Sequence, residues 1–360
     1  MEENYYKTKQ TCCIKIGTRK NGRTLEYPLY GSINPMVTVT GNSGSGKTNF
    51  SYHIIRQSLK QRIAVLIPDY SGSFGLTKVQ GFPVEVFSAD NFPVSPFNKM
   101  TSDEDIETTS RRCADFLGLV FKMGIKQKTL LRNIIMQLMD KGMAVTFPNI
   151  VSQIHKQNDS DEARYESMNQ FDGYEKLDIF NESGQSWNYV YNSDAKLYVI
   201  KFDSKYTRQD QVIFSELLLM SLFEWLRINE KKNFCKKIQI HLDEAQDLNY
   251  SEKFPLALLI RQGRKFGCSL FLYTQSLFTF EPGIREILTQ AALLVNFKQT
   301  PGGAKQLARL LEDDAEMGKE LENEFKHLKR GEAFASGSFL KKDGTYTNIL
   351  NVKVNIPLIK

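Results

Sequence analysis

Short blocks of consecutive apolar residues alternate along this chain with longer stretches in which apolar residues recur every three or four positions. Met36–Thr40, Ile63–Ile67, Leu197–Phe202, Ile238–Leu242, Cys268–Tyr273 and Leu293–Phe297 are too short for helices and rich in β-branched or aromatic residues. Such runs read as strands buried on both faces of a sheet. Between them, helical spacing predicts helices from near Gly46 to about Lys60, over Gln209–Asn229, at about Phe254–Phe266, near Gly283–Thr289, and over Ala304–Leu311 and Ala315–Leu328. Glu332–Ser336 and Tyr346–Val354 read as closing strands, and residues 11–33 as short strands or a hairpin turned by Asn21-Gly22. The first buried strand, its helix and the next strand form a βαβ unit within about thirty residues. This alternation predicts an α/β fold with a mostly parallel sheet covered on both faces.

The rhythm breaks between about Met100 and Ser193. Ser102–Met123 opens on Ser102-Asp103-Glu104-Asp105, an acidic helix start, and carries Ile106, Cys113, Phe116, Leu117, Val120 and Phe121 at helical spacing. Thr129–Lys141 repeats the pattern through Leu130, Leu131, Ile134, Ile135, Leu138 and Met139. Phe147-Pro148-Asn149 punctuates before another helix, and Ser160–Phe180 is charged and helix-compatible. The expected organisation is therefore a core of residues 35–98 and 195–340, an all-helical insertion over 99–194, a short N-terminal β element at 1–34 and a C-terminal strand or tail at 341–360.

Composition narrows the class without naming a chemistry. The 360 residues are 41% hydrophobic and 24% charged, which predicts a packed globular protein rather than a disordered one. No apolar run reaches membrane-spanning length, and Met1-Glu2-Glu3-Asn4 is the wrong start for a secretory signal, so a soluble cytoplasmic protein with no membrane partner is expected. Five cysteines without CxxC spacing argue against a disulfide framework or a zinc site, and the four scattered histidines read as structural or surface residues. A net charge of +6 permits a polyanionic partner without requiring one. The lysines around Lys231-Lys232 and Lys236-Lys237 read as a solvated turn before a buried strand more readily than as a DNA patch.

The chemistry is concentrated in two places. Gly41-Asn42-Ser43-Gly44-Ser45-Gly46-Lys47-Thr48 fits G-x-x-x-x-G-K-[ST] at every position, between a predicted strand and a predicted helix. The glycines let main-chain N–H groups curl around phosphate oxygens, and the helix N-terminus adds its dipole. Lys47 is expected to reach the β- and γ-phosphates of ATP, the Thr48 hydroxyl to coordinate Mg²⁺, and Asn49 to complete the nucleotide site. Ile238–Leu242 ends in Asp243 and Glu244. Asp243 would hold the metal, directly or through water, and Glu244 would orient and deprotonate the attacking water.

Four further residues are candidates with open alternatives. Asp69 follows the second buried strand and would emerge on the phosphate-loop edge, either to hold a water or metal near the γ-phosphate or as a strand-end turn residue. Gln275 follows another strand, as a γ-phosphate sensor or a turn residue. Arg261 and Arg264 lie late in the helix after the acid pair. Either arginine would act across a subunit boundary on the transferring phosphoryl group, or both answer only to the helix C-terminal dipole.

Together these pieces resemble the HerA/FtsK superfamily of hexameric ATPases, and the HerA branch most closely. The likeness rests on the glycine loop, Val65-Leu66-Ile67-Pro68-Asp69, His241-Leu242-Asp243-Glu244-Ala245-Gln246, Gly263-Arg264-Lys265-Phe266-Gly267, Tyr273-Thr274-Gln275-Ser276 and Leu328-Lys329-Arg330-Gly331-Glu332-Ala333. It covers about residues 30–98 and 195–340. The resemblance implies a RecA-like core, a homo-hexameric ring with ATP between subunits, and double-stranded DNA drawn through a central pore. It also implies a partner nuclease or NAD-consuming effector, in DNA end processing or prokaryotic antiviral defence. Two features depart from the pattern. About 35 residues precede the core where the family carries a full β-barrel, and Lys298 stands where members often have an arginine, a non-conservative exchange at a bidentate site. A regulatory ATPase that assembles a partner effector without translocating DNA is the competing reading.

Overall fold

The computed structural model describes residues 13–29, 36–70, 72, 74, 79–156, 169, 171, 173–174, 180, 184–192, 196–230, 237–341 and 343–358. Its strands are β1 (Cys13–Arg19), β2 (Thr24–Pro28), β3 (Met36–Thr40), β4 (Ala64–Asp69), β5 (Val84–Ser88), β6 (Leu197–Lys201), β7 (Ile238–Leu242), β8 (Cys268–Thr274), β9 (Leu293–Asn296), β10 (Glu332–Leu340) and β11 (Tyr346–Asn355). Among the described residues they form one sheet in the order β11-β1-β2-β10-β9-β3-β8-β7-β4-β6-β5. Every pairing from β9 to β5 is parallel. The four strands at the other end pair antiparallel, and β10 joins the halves by running antiparallel to β9.

Successive residues of a strand point to opposite faces, and the two hydrophobic cores follow that alternation. Val37, Val39, Val65, Ile67, Leu197, Val199, Phe271 and Tyr273 bury against one face, under helix α1 (Lys47–Lys60). Leu66, Tyr198, Ile200, Ile240, Leu270 and Leu272 bury against the other. That second core also takes the inward residues of α2 (Ile106–Val120), α3 (Ile125–Asp140), α4 (Phe147–Lys156) and α5 (Arg208–Ile228). The expected helical insertion thus shares its core with the sheet; Trp187 Nε1 donates to Ser221 Oγ of α5 at 2.9 Å in its interior. The described part of the N-terminal element, residues 13–29, joins the main sheet as well. Its hairpin, turned at Gly22 with φ 77°, is part of the main sheet.

Local chemistry sets the element ends. Asp105 caps α2 by accepting from Thr108 N at 2.6 Å, so the helix starts at Ile106 rather than at Ser102. Thr207 and Asp210 cap α5 reciprocally. The helix expected at about Phe254–Phe266 is α6 (Pro255–Gln262) followed by a 3₁₀ turn over Gly263–Phe266. Most of Ser160–Phe180 and the lysines from Lys231 to Lys236 lie outside the described residues. β5 is an edge strand that no pattern announced: Val84-Glu85-Val86-Phe87-Ser88 is half-buried and lacks an apolar run. Among the described residues no helix is long and apolar enough to cross a membrane.

One polar group inside the sheet has a measurable consequence. His241 is fully buried, with Nε2 2.9 Å from Gln239 Oε1 and Nδ1 2.8 Å from Tyr273 Oη. Burial lowers its pKa to about 3, so the ring is neutral in the fold. The unfolded chain binds this proton near the ordinary value of ~6.5, so the stability it confers is present above that pH and is lost as pH falls from there toward about 3. His241→Asn is expected to flatten the wild-type loss by up to ~1.4 kcal/mol per pH unit across that window. Denaturant unfolding of both proteins at pH 7 and pH 5 checks this; parallel curves contradict it.

Candidate active site

The phosphate loop leaves the carboxyl end of β3, and main-chain bonds to two segments, Phe297-Lys298 and Gly331, hold it and the strand end in place. Asn42 N donates to Lys298 O at 2.9 Å, Phe297 N to Thr40 O at 2.8 Å, and Gly331 N to Ser45 O at 3.2 Å. Glycine is required where the loop is clamped. A Cβ on Gly41 (φ 149°) would lie 2.6 Å from Phe297 Cβ and 2.9 Å from Ser45 Oγ. One on Gly46 (φ 122°) would meet Gly331 N at 3.2 Å. Ser45 Oγ donates to Asn42 O at 2.7 Å, fixing the loop from inside.

Facing the loop is a cleft of about 160 Å³ lined by Ser43, Gly44, Gly46, Lys47, Thr48, Asn49, Asp243, Glu244, Gln275 and Arg330. Its lining of glycine backbone, lysine, hydroxyl and amide groups suits the phosphates of a nucleotide. The loop, the two acids and Gln275 therefore meet, as the strand-end logic requires: β3, β8 and β7 are adjacent and parallel, so their carboxyl ends share one edge.

Lys47 Nζ donates to Gly41 O at 2.5 Å and Asn42 O at 3.2 Å. Burial lowers its pKa, and the charges of Asp243 and Glu244 oppose that shift. A half-buried ammonium beside two carboxylates and main-chain donors suits a bound polyphosphate with its divalent cation. Thr48 and Asp243 line the same cleft, and their hydroxyl and carboxylate are the hard oxygen donors Mg²⁺ takes.

Glu244 is held in a costly backbone conformation, φ 47° and ψ 47°. Its N–H donates to Asp243 Oδ1 at 3.0 Å, and Tyr70 Oη donates to its carbonyl at 3.3 Å. Gln275 Nε2 donates to Glu244 Oε1 at 3.0 Å and Gln246 Nε2 to Oε2. Thr274 Oγ1 in turn donates to Gln246 Oε1 at 3.1 Å. Two amides thus aim the carboxylate, and Gln275 touches Glu244 as well as the cleft.

Of the remaining candidates, only Asn49 lines the cleft. Asp69 emerges on the expected edge but does not line the cleft. Its strand lies three positions from β3, roughly 14 Å at ~4.8 Å per strand. Asp69 Oδ1 accepts from Phe74 N at 3.3 Å, so the geometry favours the turn role. Asn49 lines the cleft while its amide donates to Pro357 O at 2.9 Å. Arg261 Nη2 donates to Glu252 O at 2.5 Å. Arg264 is exposed in the 3₁₀ turn that precedes β8, at the edge of the sheet opposite the cleft. Neither arginine enters this chain's own site. Lys298 contributes its carbonyl to the loop but does not line the cleft.

Arg330 is the site residue that sequence reasoning missed. It precedes β10, which runs antiparallel to β9, so its start lies at the carboxyl edge of the parallel strands. The Gly331–Ser45 bond then sets Arg330 against the loop. The direction of the closing strand was the available signal. Arg330→Ala is expected to weaken binding of an ATP analogue about 10-fold or more by removing a charge-assisted bond to phosphate, while Lys329→Ala leaves it unchanged. Calorimetric titration distinguishes the two; equal affinities for both variants contradict the assignment.

The family model "Helicase HerA, central domain" matches residues 14–220. Comparison with curated proteins returns no match. Among solved structures, VirB4 of Thermoanaerobacter pseudethanolicus is similar with a TM-score of 0.67 at 14% identity, over 96% of this chain and 96% of that one. The bacterial conjugative coupling protein TrwBdeltaN70, unbound, has a TM-score of 0.61 at 13% identity, over 99% and 91%. TrwB in complex with the ATP analogue ADPNP has 0.59 at 12% identity, over 90% and 86%. These likenesses show the fold, a RecA-like α/β core. With the family match over more than half its length and an intact glycine loop facing an acid pair, the chain belongs to the HerA helicase central-domain family, and it is a P-loop ATPase.

Proposed function

We propose that this chain is the subunit of a homo-hexameric ring that uses ATP and Mg²⁺ to move along double-stranded DNA. The observation that carries the ring is the position of Arg264, exposed at the sheet edge opposite the chain's own cleft. In a closed ring of head-to-tail contacts, one edge of each subunit meets the other edge of its neighbour, so Arg264 would approach the neighbour's nucleotide. Arg264, exposed in the Gly-Arg-Lys-Phe turn, is the stronger candidate for that role.

Within the cleft, Lys47 and the loop N–H groups bind phosphate, and Thr48 and Asp243 would hold the metal. Bound Mg²⁺ would supply charge neutralisation of the phosphate oxygens. Glu244, aimed by Gln275 and Gln246, takes the proton of the attacking water. TrwB has been captured with ADPNP and with ADP and Mg²⁺, which supports the same ligands here. The +6 charge of each chain, summed over a ring, favours a polyanion in its centre. The HerA resemblance further supports a partner nuclease or other effector, in DNA end processing or antiviral defence.

ATP hydrolysis by the wild-type chain is expected to rise several-fold with duplex DNA, and the stimulation to fall steeply between ~50 and ~200 mM salt. Indifference to DNA, with stimulation by a partner protein instead, contradicts the motor and identifies a scaffold ATPase.

A further inference from the structure

Glu216 lies in the middle of α5, on a turn it shares with Phe214, Ser215, Leu217 and Leu218, and is only 2% exposed. An ionisable residue is rarely so buried unless it is paired. Glu216 Oε1 accepts from Asn249 N at 2.7 Å, but Oε2 has no hydrogen-bond partner among the described residues. Leaving a buried carboxyl oxygen unsatisfied is costly. Burial raises the Glu216 pKa to about 7, and only the Asn249 N–H opposes it.

Glu216 lines a cavity of about 420 Å³, within the range of small-ligand sites. Val212, Ile213, Phe254 and Ile284 give it apolar walls, Glu281 adds negative charge to its lining, and Asp247 lines it with a carboxylate paired to Arg208. Lys122 is the one basic residue of that lining. An alkyl stem ending in a cation matches this surface: the methylenes lie along the apolar walls, and a rotation of the Glu216 side chain, whose Oε2 is itself buried in this conformation, brings that oxygen to the charged head.

The cavity also adjoins the catalytic segment. Its lining includes Asp247, Asn249 and Tyr250, which follow Glu244 directly. Asp247 N donates to Glu244 O at 3.1 Å, and Tyr250 Oη to Ala245 O at 3.1 Å. Arg208 joins Asp247 and donates to Tyr70 O at 2.7 Å, and Tyr70 Oη reaches Glu244 O. On its other side the cavity touches Val120 and Lys122, at the end of α2. We propose that this cavity is a second binding site, which takes an alkylguanidinium or alkylammonium group on Glu216 and thereby links the helical block to the segment that positions Glu244. The group comes either from a free small molecule or from a basic side chain of a second copy of this chain.

The test uses the full chain and two probes of one shape, n-butylguanidinium and neutral n-butylurea, titrated by NMR, so that binding is read without ATP hydrolysis and fails separately from the motor reading. A free-cation site predicts that the guanidinium binds about 10-fold or more tightly than the urea. Glu216→Gln, close in shape, is expected to remove that preference, and Val212→Trp, which fills the cavity from its rim, to remove binding of both probes. In the second arm a photo-crosslinker replaces Val212. If a second copy already supplies the cation, neither probe binds the wild type, crosslinks join two copies, and Glu216→Gln reduces their yield about 10-fold. Two results overturn the proposal: equal binding of the probes with no effect of Glu216→Gln, or neither probe binding with no Glu216-dependent crosslink.

Discussion

Lys47→Ala is expected to weaken ATP binding about 100-fold or more, because it deletes a cation that makes at least two charge-assisted bonds to phosphate. The half-buried Lys47 ammonium is already desolvated by the fold, and Nζ is parked on the Gly41 and Asn42 carbonyls. Exchanging those carbonyls for phosphate oxygens needs little rearrangement of the loop, so most of the bond energy appears in affinity. Titration with a fluorescent ATP analogue measures the loss, and thermal unfolding without nucleotide separates it from misfolding. A variant that binds with wild-type affinity contradicts the phosphate role of the cleft.

Glu244→Gln is expected to retain the affinity for an ATP analogue yet slow turnover by about 10²–10⁴. The substitution keeps size and shape but removes the proton acceptor. The surrounding support is specific to a carboxylate: Gln275 and Gln246 each donate an amide N–H to one of its two oxygens. An amide at position 244 accepts only one of those bonds, so the side chain also loses part of its aim. Single-turnover measurements at saturating ATP report the chemical step. Near-normal turnover removes Glu244 as the base and shifts attention to Asp243.

What the sequence disclosed follows from how locally each feature is written. The glycine loop is eight consecutive residues, and its geometry depends mainly on its own φ angles and on the strand and helix flanking it. Asp243 and Glu244 are legible because they end a buried strand, and parallel strands deliver their ends to one edge. Asp69 shows where that logic stops. Its edge was predictable, but its distance from the cleft depends on strand order, with β8 and β7 lying between β3 and β4. Arg330 needed the direction of β10, and β5 offered no apolar run because one edge of it meets solvent. The hydrogen bonds that aim Glu244 were out of reach for another reason: Gln246 and Gln275 lie 2 and 31 residues from it, and neither separation implies contact. Likewise Glu216 reads as one of three acids in α5, with Asp210 and Glu224, until the fold shows it buried against Asn249.

The most direct test of this account is the position of a bound nucleotide and metal, located in crystals of the full chain grown with a non-hydrolysable ATP analogue and Mn²⁺ by the anomalous signal of the metal. The triphosphate is expected against the N–H groups of residues 43–48, with the metal peak between the Thr48 hydroxyl and the Asp243 carboxylate. A nucleotide lodged in the cavity beside Glu216, or a metal peak away from both Thr48 and Asp243, contradicts it.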